Sequence, residues 1–312
     1  MNSSSYRPQI GITFREFTEK WRVSVLQSYK PSTQAHLLSD INNHLVPSMG
    51  DVMLSHITTE GLQRFVASRK ASPKTIANVI GVMRSLWRVA KAWGYINHSP
   101  FEGLVLARPP KPEPKMFTVD EARRIIEAAH EPHKTFYWLA AETGMRAGEL
   151  CGLCWEDLND TAHLVYVHQS DWKKLLGAPK TEAGRRRFSI SRSLAEHLHS
   201  RRQRASGLIF ASKHGNPWRG GKVVERNLSP LLKQLGIAHR GLHAFRHLNG
   251  SLMDLFGTPI KVRQQRLGHS TAAITLDRYT HLVSEDDRSV AEQIGGILHP
   301  LVLKSETERA ST

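Results

Sequence analysis

The chain has 312 residues, of which 40% are hydrophobic, and this is enough apolar material for two folded domains. Lys and Arg number 43 against 28 Asp and Glu, so the net charge is +15 at pH 7. Such a basic balance favours a polyanionic partner, because contacts to nucleic-acid phosphates release counterions. The polar N-terminus lacks the apolar stretch of a secretory signal, and no apolar run approaches the ~20 residues of a membrane span, which argues against secreted and membrane proteins.

The first half of the chain predicts a small helical bundle in residues 12–104, after a flexible start at 1–11. Helical stripes of apolar residues begin at Phe14, and a second helix is expected over 33–45, stopped by Pro47. A third helix should follow the cap residues Thr58 and Thr59. The fourth has Ser72 as N-cap and Pro73 at its first position, and runs to Gly94. Four helices in this span are typical of a bundle.

The outer face of this bundle carries five basic residues. We expect either ordinary solvation or contact with DNA from this face, and the charge pattern alone leaves both open. The candidate DNA-binding residues are Lys70, Lys74, Arg84, Arg88 and Lys91.

Residues 105–116 contain four prolines and alternating charges, and such a composition predicts a linker without regular structure. Thr118 and Glu121 then form the pattern of a capping box, so that a second domain is expected over 117–300, with a flexible tail at 301–312. Helices are predicted at 133–142, 146–153, 223–234, 243–256, 259–267, 271–279 and 285–298. A strand is predicted at 164–168. Strands flanking a turn at 181–184 suggest a hairpin, with 187–190 as its return arm, so this domain has a mixed α+β character.

The two cysteines, Cys151 and Cys154, have the spacing of a metal knuckle or a redox pair. A structural zinc site needs a second pair of ligands, and no such pair is evident in the sequence. We therefore expect one buried helix face and a reducing compartment.

Four segments of the second domain concentrate groups suited to phosphate chemistry. Each residue also has an ordinary structural reading: a helix ion pair for Arg146, a solvated turn for Lys180, a helix cap for His243 with Arg246, a helix end for His269, and a half-buried core position for Tyr279. The segments are ETGMRAGEL, PKTEAGRRRF, GLHAFRH and RLGHSTAAITLDRYTH.

As a set, in this order and at these intervals, the segments resemble the tyrosine recombinase family, also called the phage integrase family. The resemblance covers essentially the whole second domain. It implies a mainly α multidomain protein, with a SAM-like helical core-binding domain and a mixed α+β catalytic domain, clamped around duplex DNA. The implied activity is site-specific recombination through a 3′-phosphotyrosine at Tyr279 and a Holliday junction, by a homotetramer on two DNA sites. An accessory DNA-bending or directionality factor also fits this activity.

The chemistry explains why these residue types are needed. Arg146 and Arg246 carry planar cationic forks that suit the non-bridging oxygens of a phosphodiester, and the chain shows no carboxylate cluster for Mg²⁺. We therefore expect no metal, ATP or other cofactor. His243 suits the role of base or oxyanion donor and His269 that of a second phosphate donor, while the resemblance assigns the general acid to Lys180.

The sequence departs from the family pattern at Leu248, where a small hydroxyl residue is common. Few residues precede Phe14, so we expect no separate domain for arm-type sites. A type IB topoisomerase-like enzyme, a hairpin telomere resolvase and a catalytically silent DNA-binding relative remain as alternatives. For the recombinase we expect a cytoplasmic, nucleoid-associated location.

Overall fold

The computed structural model describes residues 11–108, 115–159, 161–172, 175–177, 184–202, 204–268 and 285–298. Contacts divide the chain into two compact units, Met1–Pro112 and Glu113–Thr312. Each unit has its own hydrophobic core, and both units are mainly helical. The division falls inside the predicted linker, whereas the exact domain limits stay a prediction.

The first unit is a bundle of five short and long helices with a core around Phe14, Phe17, Trp21 and Met83. Two of the helices are capped as the sequence predicts. The side-chain hydroxyls of Thr58 and Ser72 each accept a hydrogen bond from the backbone N–H three residues later. The helices are α1 (Phe14–Ser24), α2 (Pro31–Asp40), α3 (Val46–Met49), α4 (Thr59–Ala67) and α5 (Pro73–Ala92).

The prediction that Pro47 stops the second helix is wrong. A π-helical segment, Ile41–Leu45, joins α2 directly to α3, so the helical path continues to Met49. Proline lacks an N–H and its ring crowds the preceding turn, and a widened turn relieves both problems. Pro230 in the second unit follows a similar π-helical segment, Val224–Leu228.

The second unit packs helices around one large core and a small sheet. Thr118 and Glu121 form the predicted capping box at the start of the first helix. The helices are α6 (Val119–Ala128), α7 (His133–Thr143), α8 (Ala147–Cys151), α9 (Arg192–Arg201), α10 (Gly220–Val223), α11 (Ser229–Gln234), α12 (His243–Leu255), α13 (Ile260–Leu267) and α14 (Glu285–Leu298).

The sheet differs from the predicted hairpin in its pairing. The order is β1 (Leu158–Asn159), β2 (Leu164–Val167), β5 (Arg186–Ser189), all antiparallel, with Val165 opposite Phe188. A separate antiparallel ribbon, β3 (Ser170–Trp172) with β4 (Leu175–Gly177), lies between β2 and β5 in the chain. The return strand therefore pairs with β2, although the predicted turn at 181–184 lies mostly outside the described residues.

Two further expectations are corrected by the local structure. Helix α8 ends at Cys151, so Cys154 lies beyond it in extended backbone, bridged to Leu208, and the two thiols share no helix face. Both are nevertheless buried. Helix α9 was not predicted; Ser191 caps it by accepting the N–H of Leu194.

Helix α14 packs on its own unit, against α6, α7, α9, α12 and β5. Asp287 at its start accepts bonds from the guanidinium of Arg266 and from the backbone N–H of Ser189. Gly295 lies so close to Ser191 that an added Cβ would be 2.7 Å from the serine Cβ. In the described residues, α14 therefore packs on the core of its own unit.

Candidate active site

Arg146 stands between two helices, directly after the turn that ends α7. Its backbone N–H donates to Oε2 of Glu149 at 2.8 Å, and its Nη1 donates to Oε1 of the same carboxylate at 2.8 Å. Its Nη2 donates to the carbonyl of Gly268 at 2.8 Å. The side chain is still 36% exposed. The predicted ion pair with Glu149 is present, and it leaves the guanidinium open to an external anion.

Arg246 lies on α12 and is only 4% exposed. Its Nη1 donates to the carbonyl of Gly144 at 2.8 Å and its Nη2 to the carbonyl of Leu267 at 2.6 Å. Burial and, secondly, the nearby charge of Arg146 lower the pKa of Arg246 to about 10. The Arg246 guanidinium remains protonated at neutral pH, so Arg146 and Arg246 together carry two positive charges at this site.

The end of α13 is held by three arginines on three different elements. Nε of Arg186 donates to the carbonyl of Arg266 at 2.8 Å, while Leu267 and Gly268 accept from Arg246 and Arg146. The last carbonyls of a helix lack partners within the helix, and its C-terminus attracts cations. Here side chains bind three consecutive carbonyls at that end, and Gly268 closes the helix in the left-handed conformation at φ 63.

Glu149 and Arg186 form a buried ion pair beneath Arg146, with each side chain 2% exposed. Nη1 and Nη2 of Arg186 donate to the two carboxylate oxygens at 3.1 and 2.9 Å. Burial would raise the pKa of Glu149, but the hydrogen bonds and charge of Arg186, together with the hydrogen bonds of Arg146, outweigh it and lower that pKa. The carboxylate is therefore ionised beneath the site.

Gly144 supplies one of the carbonyls and has a conformation that favours glycine. Its φ is 62, and an added Cβ would lie 2.8 Å from both Asn249 Oδ1 and Leu267 Cδ2. The turn after α7 can therefore approach α12 and α13 only without a side chain.

His243 is the first residue of α12, one turn before Arg246, and it is exposed. Its ring lies 4.7 Å from that of His247 in an edge-to-face arrangement. The structure thus brings three predicted residues, Arg146, His243 and Arg246, to neighbouring elements. Lys180, His269 and Tyr279 lie outside the described residues.

The candidate DNA-binding residues of the first unit are all exposed. Four of them, Lys74, Arg84, Arg88 and Lys91, lie on α5, while Lys70 precedes its cap. The guanidinium of Arg84 also lies 5.0 Å above the ring of Phe101. A helix advances 100° per residue, and on this geometry the four side chains fall on one side of α5. We call them the α5 basic stripe.

Sequence reasoning missed the importance of Arg186 and Glu149. Neither residue is among the site residues predicted from the sequence. The alternation of β5 gives a signal in retrospect, because Arg186 and Phe188 share a face of the strand and both are buried.

Within the described ranges, no group of three or more His, Cys, Asp and Glu side chains is arranged to hold a metal ion. Over the same ranges, no helix is long and apolar enough to cross a membrane.

The fold of this chain is similar to that of solved DNA integrases. An integrase of the transposon Tn1549, solved with transposon right-end DNA, superposes with a TM-score of 0.69 at 18% identity over 85% of this chain and 96% of that one. A lambda integrase dimer bound to a COC′ core site gives a TM-score of 0.66 at 21% identity, over 87% of this chain and 80% of that one.

Sequence comparison assigns the family. Residues 115–286 match the Phage integrase family, and residues 13–68 match the N-terminal SAM-like domain of phage integrases. This chain therefore belongs to the phage integrase family of tyrosine recombinases. Its relatives include a tyrosine recombinase XerC-like protein of Caldanaerobacter subterraneus, 25% identical over 92% of this chain and 83% of that protein. A putative prophage phiRv2 integrase of Mycobacterium tuberculosis is 28% identical over 93% of this chain and 80% of that protein.

Proposed function

We propose that this chain is an active site-specific recombinase, which cleaves and rejoins duplex DNA through a 3′-phosphotyrosine at Tyr279. The observation that carries the proposal is the pair of guanidiniums, Arg146 and Arg246, fixed on adjacent carbonyls at the end of α13. Such a pair is organised before any substrate arrives, which is what electrostatic stabilisation of a transition state requires.

After their bonds to the described residues, the two arginines retain donors for a phosphate. Each terminal guanidinium nitrogen has two hydrogens, and the bonds to carbonyls and to Glu149 occupy one on each of these nitrogens. The remaining hydrogens suit the non-bridging oxygens of a phosphodiester, whose charge grows during attack. Arg146, the more exposed, would meet the phosphate first, with Arg246 at the floor of the site.

The proposed reaction is a balanced transesterification. Oη of Tyr279 forms a bond to phosphorus while the bond from phosphorus to the 5′-oxygen breaks. His243 accepts the phenol proton, or it donates to the phosphate oxygen while a water molecule takes that proton. His269 is the second donor, and Lys180 protonates the leaving 5′-oxygen. The phosphotyrosine retains the energy of the broken ester, and the reversal therefore requires neither ATP nor a metal.

Recombination also requires partner strands. A 5′-hydroxyl from a second duplex attacks the phosphotyrosine, which gives a Holliday junction after the first exchange. A lambda integrase tetramer bound to a Holliday junction has a TM-score of 0.64 with this chain. By analogy we propose a homotetramer on two DNA sites, with an accessory bending or directionality factor and the nucleoid as its place of action.

The first unit would contribute affinity for DNA. The α5 basic stripe, together with Lys70, presents exposed cations that suit a phosphate backbone. Contacts of this kind position a protein on the duplex without reading its sequence.

The test is covalent capture on DNA. A binding site is first selected from a random pool of duplexes with Tyr279→Phe, and then prepared as a nicked suicide substrate. In EDTA and without ATP, wild type should form a denaturant-resistant adduct and Tyr279→Phe should form none. If wild type forms the adduct and relaxes supercoiled DNA but never joins two duplexes, a topoisomerase-like enzyme is favoured. If wild type binds the DNA but forms no adduct, the proposal is refuted and a catalytically silent relative is favoured.

A further inference from the structure

Arg186 uses four of the five N–H donors of its guanidinium inside the protein. It makes two bonds to the Glu149 carboxylate, one from Nε to the carbonyl of Arg266 at 2.8 Å, and one to the carbonyl of Gly184 at 3.1 Å. With its side chain only 2% exposed, it has no access to DNA. Any effect of Arg186 on the reaction must therefore pass through the groups that it holds.

One arm of Arg186 acts on Arg146. The Glu149 carboxylate, gripped by Arg186 through both oxygens, is the same carboxylate that binds the backbone N–H and the Nη1 of Arg146. Two cations share one anion, and the position of each depends on the other. Because both oxygens of the Glu149 carboxylate are fixed, the Arg146 guanidinium that binds it is restricted in orientation.

The other arm acts on the end of α13. Arg186 binds the carbonyl of Arg266, next to the carbonyls that bind Arg246 and Arg146. The turn that the two phosphate-binding candidates share is therefore fixed from behind by a third cation. Without that bond, the carbonyl of Arg266 loses a partner, and the turn can shift.

From this geometry we infer that Arg186 is a positioning residue, which aligns Arg146 and Arg246 for the phosphate through Glu149 and the end of α13. The inference rests on the proposed function, because alignment matters only if the site performs the cleavage. Supporting residues of this kind typically change rates by about 10- to 100-fold. Misplacement of a reacting group by about 1 Å has a similar cost.

The charged groups around Glu149 give this role a pH signature. Arg146, just before α8, donates hydrogen bonds to it; Arg186 from β5 donates hydrogen bonds and adds its charge, and Arg246 from α12 interacts with it through charge. On other elements packed against α8, Glu142 of α7 binds Ser191 and Lys222 of α10 binds Glu225. Without Arg186, burial would dominate and raise the pKa of Glu149. The carboxyl would then take up a proton as the pH falls, and Arg146 would lose its anion.

The experiment measures single-turnover adduct formation on the selected nicked duplex, at saturating protein, across pH 5.5 to 9. Arg186→Met should retain DNA affinity but cleave about 10- to 100-fold more slowly near pH 6. Its rate should recover partly as the pH rises, because Glu149 ionises again. Glu149→Gln cannot ionise, so it should be slow without that recovery, and so should Arg186→Met combined with Glu149→Gln.

Arg187→Met is the matched control, because Arg187 is the next residue of β5 and is exposed. It removes the same charge from the same strand, and the pH profile of its rate constant should match that of wild type. Equal slowing in Arg186→Met and Arg187→Met would overturn the inference in favour of a general charge effect.

Arg186→Lys covers the case in which Arg186→Met does not fold, as judged by its melting temperature. Lysine keeps the charge, but its single nitrogen cannot make all four bonds, so the rate constant should fall by about 10-fold while the fraction of active protein is retained. A wild-type rate and pH profile in Arg186→Lys would overturn the inference. Failure of wild type itself to cleave would instead refute the proposed function, and the inference with it.

Discussion

The arginines of the two units show how one residue type serves two purposes. Around the end of α13, Arg146, Arg186 and Arg246 bind backbone carbonyls and a carboxylate, and two of the three are buried. On α5, Arg84 and Arg88 are exposed on a helix surface. The charge per residue is the same. Burial fixes the geometry of the first group, whereas salt screens the exposed charges of the second. Changes in the two groups should therefore have different readouts.

The largest effect is expected from Arg246→Lys. Lysine retains the charge but cannot bridge the carbonyls of Gly144 and Leu267 while it also faces a phosphate. We expect single-turnover adduct formation to fall by about 100- to 1,000-fold, with DNA affinity little changed. Arg240→Lys, which alters a pair with Glu121 in the same unit, is the control and should cleave normally. If Arg246→Lys forms the adduct at a rate within a few-fold of wild type, the fixed geometry of the Arg246 guanidinium is not needed for cleavage, and the two groups of arginines do not differ in this way.

The next effect concerns the turn on which the buried group depends. Gly144→Ala forces a side chain into a φ of 62 and against Asn249 and Leu267. The free energy of unfolding, measured in urea, should fall by about 1–3 kcal/mol. An unchanged unfolding midpoint would mean that the turn yields, and that the carbonyl of Gly144 is not held rigidly beneath Arg246.

A smaller and different effect is expected from the exposed group. Neutralising Arg84 and Arg88 as glutamines should weaken DNA binding at all sequences, and reduce the slope of log K against log salt by about 0.9 for each phosphate that the protein no longer neutralises. Lys20→Gln, an exposed change on α1, should leave the slope as it is. If the double variant keeps the wild-type slope, the α5 basic stripe is a solvated face, as its charge pattern alone also allows.

The smallest effect has the opposite sign. Gly81 lies inside α5, and an added Cβ would meet nothing within 4 Å. Gly81→Ala should therefore raise the free energy of unfolding by about 0.5–1 kcal/mol, through the higher helix propensity of alanine. A loss of stability in the same urea experiment would show that the surface of α5 is more constrained than its exposure indicates.

Local signals in the sequence predicted much of the fold. The caps Thr58, Ser72 and Thr118 have clear chemical signatures, and the helices they begin are where the pattern predicts them. The continuation past Pro47 was missed, because the widened turn that accommodates a proline depends on packing rather than on propensity. The ribbon between β2 and β5 was missed for a similar reason, since its sequence pattern is short and irregular.

The candidate site was predicted through the set of motifs rather than through any single residue. Arg146, His243 and Arg246 do lie on adjoining elements, whereas the roles of the six catalytic candidates stay a prediction. Arg186 escaped notice because its function depends on contacts with Glu149 and Arg266, 37 and 80 residues away in the chain. Contacts of this range leave no local periodicity to read.

The binding of three consecutive carbonyls by arginines has a consequence for which residues are retained during evolution. Arg146, Arg186 and Arg246 complete the end of a helix, so selection for a stable fold alone would retain them after catalysis had disappeared. In a homologue, these arginines are then best interpreted together with the residue at the position of the proposed nucleophile, Tyr279. A homologue that no longer cleaves DNA should first lose side chains that stability does not require. The proposed nucleophile at position 279 is therefore more informative about activity than the three arginines.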